Sequence, residues 1–287
     1  MAEGEPLFVD AGSNIVLDFH GDPDRARLVV FSDGNHHMAL EESVATFVAA
    51  NPEVEDVFYA TTPPGPLLSA LKKGVLHLGN LSLSVRPHVF IGPGDILQKM
   101  AADGLLESHA AFTESRGNVL LVRKGNPKAI EGVGDLMRGD VSIVISNPQT
   151  EKASFQVYCK TLVALAEEAG LNGQKMKSLL AGGGDRVCYS TTIHHREVPQ
   201  ILASGAADVA MVYYHLGLRY SRIFPDVFNF VPLGGTHDNP DPGPGHEITC
   251  YHIGMVGDGG EWGRVFADFM AGDAGAIYER HGLRGLS

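Results

Sequence analysis

Short apolar runs alternate with longer amphipathic segments along the whole chain, and this alternation limits the fold more than any single residue does. Arg27-Leu28-Val29-Val30-Phe31 has the character of a buried strand, and Ser32-Asp33-Gly34-Asn35 supplies turn and N-cap chemistry. Met38, Leu40, Val44, Phe47 and Val48 then recur at helical spacing until Asn51-Pro52 stops the helix. The pattern predicts further strands over 54–60, 118–123, 141–145, 208–213, 229–231 and 247–255, and at Val89-Phe90-Ile91. It predicts helices over 66–73, 95–103, from Pro148 through Glu168, over 197–204, and from about Trp262 to His281. Leu76-His77-Leu78 and Leu81 to Val85 alternate with period two around Gly79-Asn80, as a hairpin does. Strand–helix alternation of this kind predicts an α/β fold with parallel sheets flanked by helices. At 287 residues, two such sheets fit better than one.

Composition excludes several functions. Lys and Arg number 22 against 34 Asp and Glu, a net charge of −12. A nucleic-acid binder needs a basic face, so no nucleic acid is expected as a partner, and no docking on anionic lipid. The longest apolar stretches, such as Val141 to Ile145, fall far below the ~18 residues a bilayer requires, so no membrane insertion is expected. Met1 to Pro6 is acidic and lacks a basic n-region and an apolar h-region. That start predicts a cytoplasmic protein unless a secretion signal was removed. Cys159, Cys188 and Cys250 are widely spaced with no CxxC, which gives neither a disulfide framework nor a cysteine-based zinc site. Gly182-Gly183-Gly184 lacks the Lys-Ser/Thr of a P-loop. Histidine stands out: of 13, four form the adjacent pairs His36-His37 and His194-His195.

The order of motifs resembles the type II periplasmic solute-binding proteins, and among them the molybdate/tungstate-binding branch. Leu28 to Ser32 with the helix to Asn51-Pro52 is similar to that family's first strand and helix, and Ala60-Thr61-Thr62 with Gly65 to its second ligand loop. Ile143 to Pro148 resembles the strand and loop that open its long helix. Gly205-Ala206-Ala207-Asp208 followed by Val209 to Tyr213 is the strongest match. The resemblance runs from about Leu28 to Leu283. It implies two lobes, each a mainly parallel sheet flanked by helices, joined by two crossover segments with a ligand cleft between them. Lobe one would be 1–116 plus 232–287 and lobe two 117–231. It also implies a monomer that binds a small inorganic ion, works with a transporter permease in the membrane, and lies in the periplasm or outside the cell. By the same resemblance Ser32, Asp33, Thr61, Thr62, Ser146 and Tyr213 are the ligand-binding positions.

Departures from that branch point elsewhere. Asp33 places a carboxylate where an anion would sit, and Pro63-Pro64 removes two N–H donors from the second loop. Each lobe carries one histidine pair near an expected helix start. Neutral imidazole is a common ligand of zinc, copper and nickel, and Asp33 adds an oxygen ligand and counter-charge. The first expectation is therefore a solute-binding protein for a divalent transition metal such as zinc, held by His36, His37, His194, His195 and Asp33, with at most one histidine of each pair ligating. The alternative is a molybdate- or tungstate-like oxyanion, helped by protonated histidines and Arg196. A biosynthetic enzyme on the same fold is the further alternative, with a histidine and Asp33 as its acid–base pair; no GxSxG or Cys–His spacing supports a nucleophile. His237 and His246, bracketing the acidic loop 238–245, form a weaker metal candidate.

Overall fold

A computed structural model of the chain describes residues 18–78, 81–182, 185–191 and 193–286. Met1 to Pro6, the Gly79-Asn80 turn and Gly183-Gly184 lie outside them. In chain order the strands and helices begin with β1 (Phe19–His20), β2 (Leu28–Ser32), α1 (His37–Ala50), β3 (Val57–Thr61), α2 (Pro64–Lys73), β4 (Leu76–Leu78) and β5 (Leu81–Leu83). They continue with β6 (Val89–Pro93), α3 (Gly94–Ala102), β7 (His109–Glu114), β8 (Asn118–Arg123), β9 (Ile143–Ile145), α4 (Lys152–Glu168) and α5 (Gly173–Gly182). The remainder are β10 (Val187–Tyr189), α6 (His194–Ala203), β11 (Val209–Tyr213), α7 (Tyr214–Ile223), β12 (Phe228–Pro232), β13 (Cys250–Met255), α8 (Gly260–Ala271), α9 (Gly275–Arg280) and β14 (Arg284–Gly285).

The chain divides into two compact units. One takes the chain up to Glu114 and again from Thr249; the other is continuous, Ser115–Ile248. The first unit holds a seven-stranded sheet in the order β1-β3-β2-β6-β13-β7-β14. Every residue of β2 is buried, because both faces of this strand are covered. Leu28 and Val30 join a core with Leu40, Phe47, Phe266 and Tyr278, on the side of α1, α8 and α9. Val29 and Phe31 point the other way, into a core with Leu67, Leu97 and Met100 from α2 and α3. Pro64 opens α2 and Gly74, at φ 70°, closes it in the left-handed conformation.

The second unit holds a five-stranded sheet in the order β10-β9-β11-β8-β12. Asp208 pins its first strands: its carboxylate accepts the Ser142 N–H at 2.9 Å, the Ser142 hydroxyl at 2.8 Å and the Arg123 guanidinium at 3.1 Å. The loop after β12 stays with this unit. Tyr214 Oη donates to the His237 carbonyl at 3.2 Å and the Glu247 N–H donates to Thr161 Oγ1 at 3.1 Å.

Both sheets are mixed, where mainly parallel ones were expected. β2 runs parallel to β3 and β6, and β9 parallel to β10 and β11. β13 enters between β6 and β7 antiparallel to both, and β8 is antiparallel to β11 and β12. The expected single C-terminal helix is two, α8 and α9, broken at Gly272, which leaves helical geometry at φ −116° and ψ −87°. The strand expected over 247–255 begins only at Cys250, after the Pro- and Gly-rich loop. Among the described residues no helix is long and apolar enough to cross a membrane.

Candidate functional site

In the first unit the parallel strands β2, β3 and β6 end at one edge of the sheet. Ser32 pairs with Thr61 on one side and Ile91 on the other. The helices follow at once: α2 and α3 start within a few residues, and α1 follows a 3-10 turn over Gly34–His36. Asp33 caps that turn, its Oδ1 accepting the Asn35 N–H at 2.7 Å. Ser32, Asp33, Thr61 and Thr62 therefore come together here, and all four are buried.

Most of their hydrogen-bonding capacity is spent within the protein. Ser32 Oγ donates to the Asp33 carbonyl at 3.0 Å, and His36 Nε2 lies 3.4 Å from the same oxygen. With its own hydrogen committed, Ser32 Oγ can only accept from His36. The Nε2 therefore carries the proton, and His36 Nδ1 accepts from Tyr278 Oη at 3.0 Å. Thr61 Oγ1 donates to Asp18 Oδ2 at 3.0 Å, and the Thr62 N–H donates to the Ser32 carbonyl at 3.1 Å. Burial pushes the Asp33 carboxyl up to about 6, against the lowering effect of the Asn35 hydrogen bond.

In the second unit the carboxyl ends of β9, β10 and β11 present Ser146, Ser190 and Tyr213. The Ser190 N–H donates to the Ile145 carbonyl at 3.1 Å, which sets Ser146 and Ser190 side by side. Asn118 opens β8 opposite Tyr213. The Ser146 hydroxyl and Asn118 Oδ1 are buried without a hydrogen-bond partner, while Asn118 Nδ2 donates to Thr161 Oγ1 at 3.3 Å. The Tyr213 ring lies between Tyr158, at 5.5 Å, and a stacked His215, at 5.3 Å.

The helix expected to start at Glu197 starts at His194, so both histidines of the second pair lie in the first turn of α6. Glu151, just before α4, reaches this helix end. Its Oε2 accepts both the Ser190 hydroxyl at 3.1 Å and the His194 N–H at 2.9 Å. His194 Nε2 donates to the Met211 carbonyl at 2.9 Å, and its Nδ1 is buried without a partner. Burial drives the His194 imidazole down to about 4, so the ring is neutral at pH 7. His195 is buried too, its carbonyl accepting from Tyr220 Oη.

These positions give the metal reading no support. Among the described residues no group of three or more His, Cys, Asp or Glu could hold a metal ion. His36 is walled in by aromatic rings, with Tyr251 at 4.8 Å and Tyr278 at 5.7 Å, and both its ring nitrogens have protein partners. His37 Nδ1 donates to the Gly34 carbonyl at 2.9 Å, and His194 spends one nitrogen on Met211. Of the loop histidines, His237 stacks on Phe230 at 3.9 Å, and His246 Nε2 donates to the Leu233 carbonyl at 2.8 Å while its Nδ1 is buried without a partner. Each adjacent pair falls at the start of a helix, α1 and α6. Nor does His194 supply the positive charge expected of it for an anion, since its ring is neutral.

Sequence reasoning missed Glu151, Ser190 and Asn118. Glu151 and His194 are 43 residues apart, so no local spacing links them. Asn118 carries a faint signal, a polar residue opening an otherwise apolar strand.

A thiosulfate-binding protein of Pseudomonas aeruginosa is 25% identical over 144 residues, covering 47% of this chain and 42% of the relative, so the matched region spans under half of that protein. The sulfate-binding protein SubI of Mycobacterium tuberculosis superposes with a TM-score of 0.64 at 16% identity, over 91% of this chain and 87% of that one. A periplasmic molybdate-binding protein of Azotobacter vinelandii superposes with a TM-score of 0.61 at 18% identity, over 91% of this chain and 99% of that one. The fold is thus that of the type II periplasmic binding proteins. Residues 28–284 match the model of one family across nearly the whole chain: this protein belongs to the bacterial extracellular solute-binding proteins.

Proposed function

We propose that the protein captures a small tetrahedral oxyanion, of the molybdate, sulfate or thiosulfate class, outside the cytoplasmic membrane and passes it to a membrane transporter. The observation that carries this reading is the Ser146 hydroxyl, buried without a partner at the strand ends of the second unit beside the start of α6. An unsatisfied buried hydroxyl costs about 1–3 kcal/mol, and an anion oxygen relieves it. The positive end of the α6 dipole favours negative charge at the same place. The names of the similar proteins support the reading, since they bind thiosulfate, sulfate and molybdate. The His194 ring, neutral at pH 7, contributes no charge to it.

The test is calorimetric titration with molybdate, tungstate, sulfate, thiosulfate and phosphate, with zinc as the competing ligand. At least one oxyanion is expected to saturate the protein at one per chain. At a hundred times its Kd it should stabilise the fold by about 2.7 kcal/mol through mass action. Ser146→Ala is expected to weaken that oxyanion about tenfold or more, because a hydrogen bond to a charged group is worth about 1.5–3 kcal/mol. Saturation by zinc alone, or a Ser146→Ala variant with unchanged affinity, rejects the proposal.

A further inference from the structure

Glu151 occupies the place where the second unit is best equipped to hold an anion. Two donors four residues apart in the turn from β10 into α6, the Ser190 hydroxyl and the His194 N–H, converge on a single oxygen, Oε2, at 3.1 and 2.9 Å. Ser190 is fully buried, and His194 is the first residue of the ten-residue α6, so the carboxylate sits at the positive end of that helix. Two of the residues gathered here carry buried atoms without partners: Ser146, at the strand end beside Ser190, at its Oγ, and His194 at its Nδ1. A carboxylate used only to cap α6 would not require a buried, unpartnered hydroxyl on the adjacent strand. The other carboxylate on this helix, Glu197, is turned to the Thr191 N–H at 2.6 Å and the Thr191 hydroxyl at 2.8 Å.

We propose that Glu151 is a resident stand-in for the ligand. Its Oε2 fills a one-oxygen subsite made by Ser190 Oγ and the His194 N–H, and an incoming oxyanion replaces it with one of its own oxygens. This rests on the oxyanion reading and adds to it. Without ligand the donors of α6 stay satisfied. With ligand the displaced carboxylate remains tethered nearby at α4, competes for the same two donors and repels the bound anion. Glu151 therefore sets the affinity below what the donors alone would give, and it speeds release.

Glu151→Gln tests this, because the Gln carbonyl oxygen still accepts from Ser190 and His194 while the charge is gone. Titration of sulfate, molybdate and thiosulfate into the full chain should show at least a tenfold gain in affinity over the unmodified protein, with slower dissociation in stopped-flow competition. Glu151→Ala should show the same gain in affinity with a lower Tm, since α6 loses its cap. Should Glu151→Gln fold with an unchanged Tm and bind the same anions equally or less tightly, Glu151 is a structural staple and the proposal falls while the oxyanion reading stands. If neither the unmodified protein nor Glu151→Gln binds any of these anions, both readings fall together. An anion that binds only after the substitution supports both.

Discussion

Asp33 shows how a single buried carboxyl links the site to stability. Its pKa is raised from 3.8 to about 6 by burial, so the folded protein holds a proton there that the unfolded chain has already lost. The sign follows from linkage: between about pH 4 and 6 the native state binds more protons, so this residue's contribution to stability falls as pH rises. Above pH 6 the charged carboxylate costs roughly 3 kcal/mol, taking about 1.4 kcal/mol per pKa unit. Asp33→Asn keeps a side-chain oxygen to accept the Asn35 N–H, so the turn into α1 survives while the charge is lost. Thermal and urea unfolding should find Asp33→Asn more stable than the unmodified protein at pH 8, with the difference closing below about pH 4. A variant less stable at pH 8 would mean that a partner of the carboxylate outweighs the cost of burying it. The sequence marked Ser32-Asp33-Gly34-Asn35 as turn and N-cap chemistry, and that much was legible. What it could not convey was burial, which is set by contacts remote along the chain and which changes the proton occupancy of the residue.

At the scale of elements, legibility followed how strongly each segment declared its period. β2, β6, β9 and β11 are continuous apolar runs and were predicted near their observed bounds. β7, His-Ala-Ala-Phe-Thr-Glu, has too few large apolar residues to announce itself, yet it is held between β13 and β14. α7 was missed because it follows β11 with no intervening loop, Tyr213 ending the strand and Tyr214 beginning the helix. This helix packs closely on its sheet through Gly217. A Cβ at that position would lie 2.6 Å from Val119 Cγ2, inside van der Waals contact. The Val119 backbone cannot retreat, since β8 is paired with β11 on one side and β12 on the other. Gly217→Ala is therefore expected to destabilise the protein by about 1–3 kcal/mol in urea unfolding, the usual cost of overpacking. Combining it with Val119→Ala should recover part of that loss, and strict additivity of the two changes would show that they do not meet there.

The whole molecule combines one continuous unit and one interrupted unit, and this asymmetry predicts how pieces of it behave. Residues 115–248 contain every strand of the five-stranded sheet and the helices α4 to α7, with the Arg123–Asp208–Ser142 tie closed inside them. That length falls within the roughly 50–200 residues over which a single core forms. The first unit is different. β13, near the middle of its sheet, arrives only after the chain has completed the second unit, and without it β6 and β7 have no common partner. Tyr251 and Ile253 of β13, with Phe266 of α8 and Tyr278 of α9, belong to the same core as Leu28 and Val30, so the segment up to Glu114 lacks much of its own interior. Expressed alone, residues 115–248 should fold, with a far-UV spectrum of mixed α/β content and a cooperative urea transition. Residues 1–114 alone should show neither, because the exposed edges of β6 and β7 leave backbone groups and apolar faces open to aggregation. Supplying residues 249–287 as a separate chain should restore structure to the first segment in proportion to its concentration, as a missing central strand and its two helices would. A cooperative transition in 1–114 by itself, or a disordered 115–248, would show that stability is not divided between the units in this way.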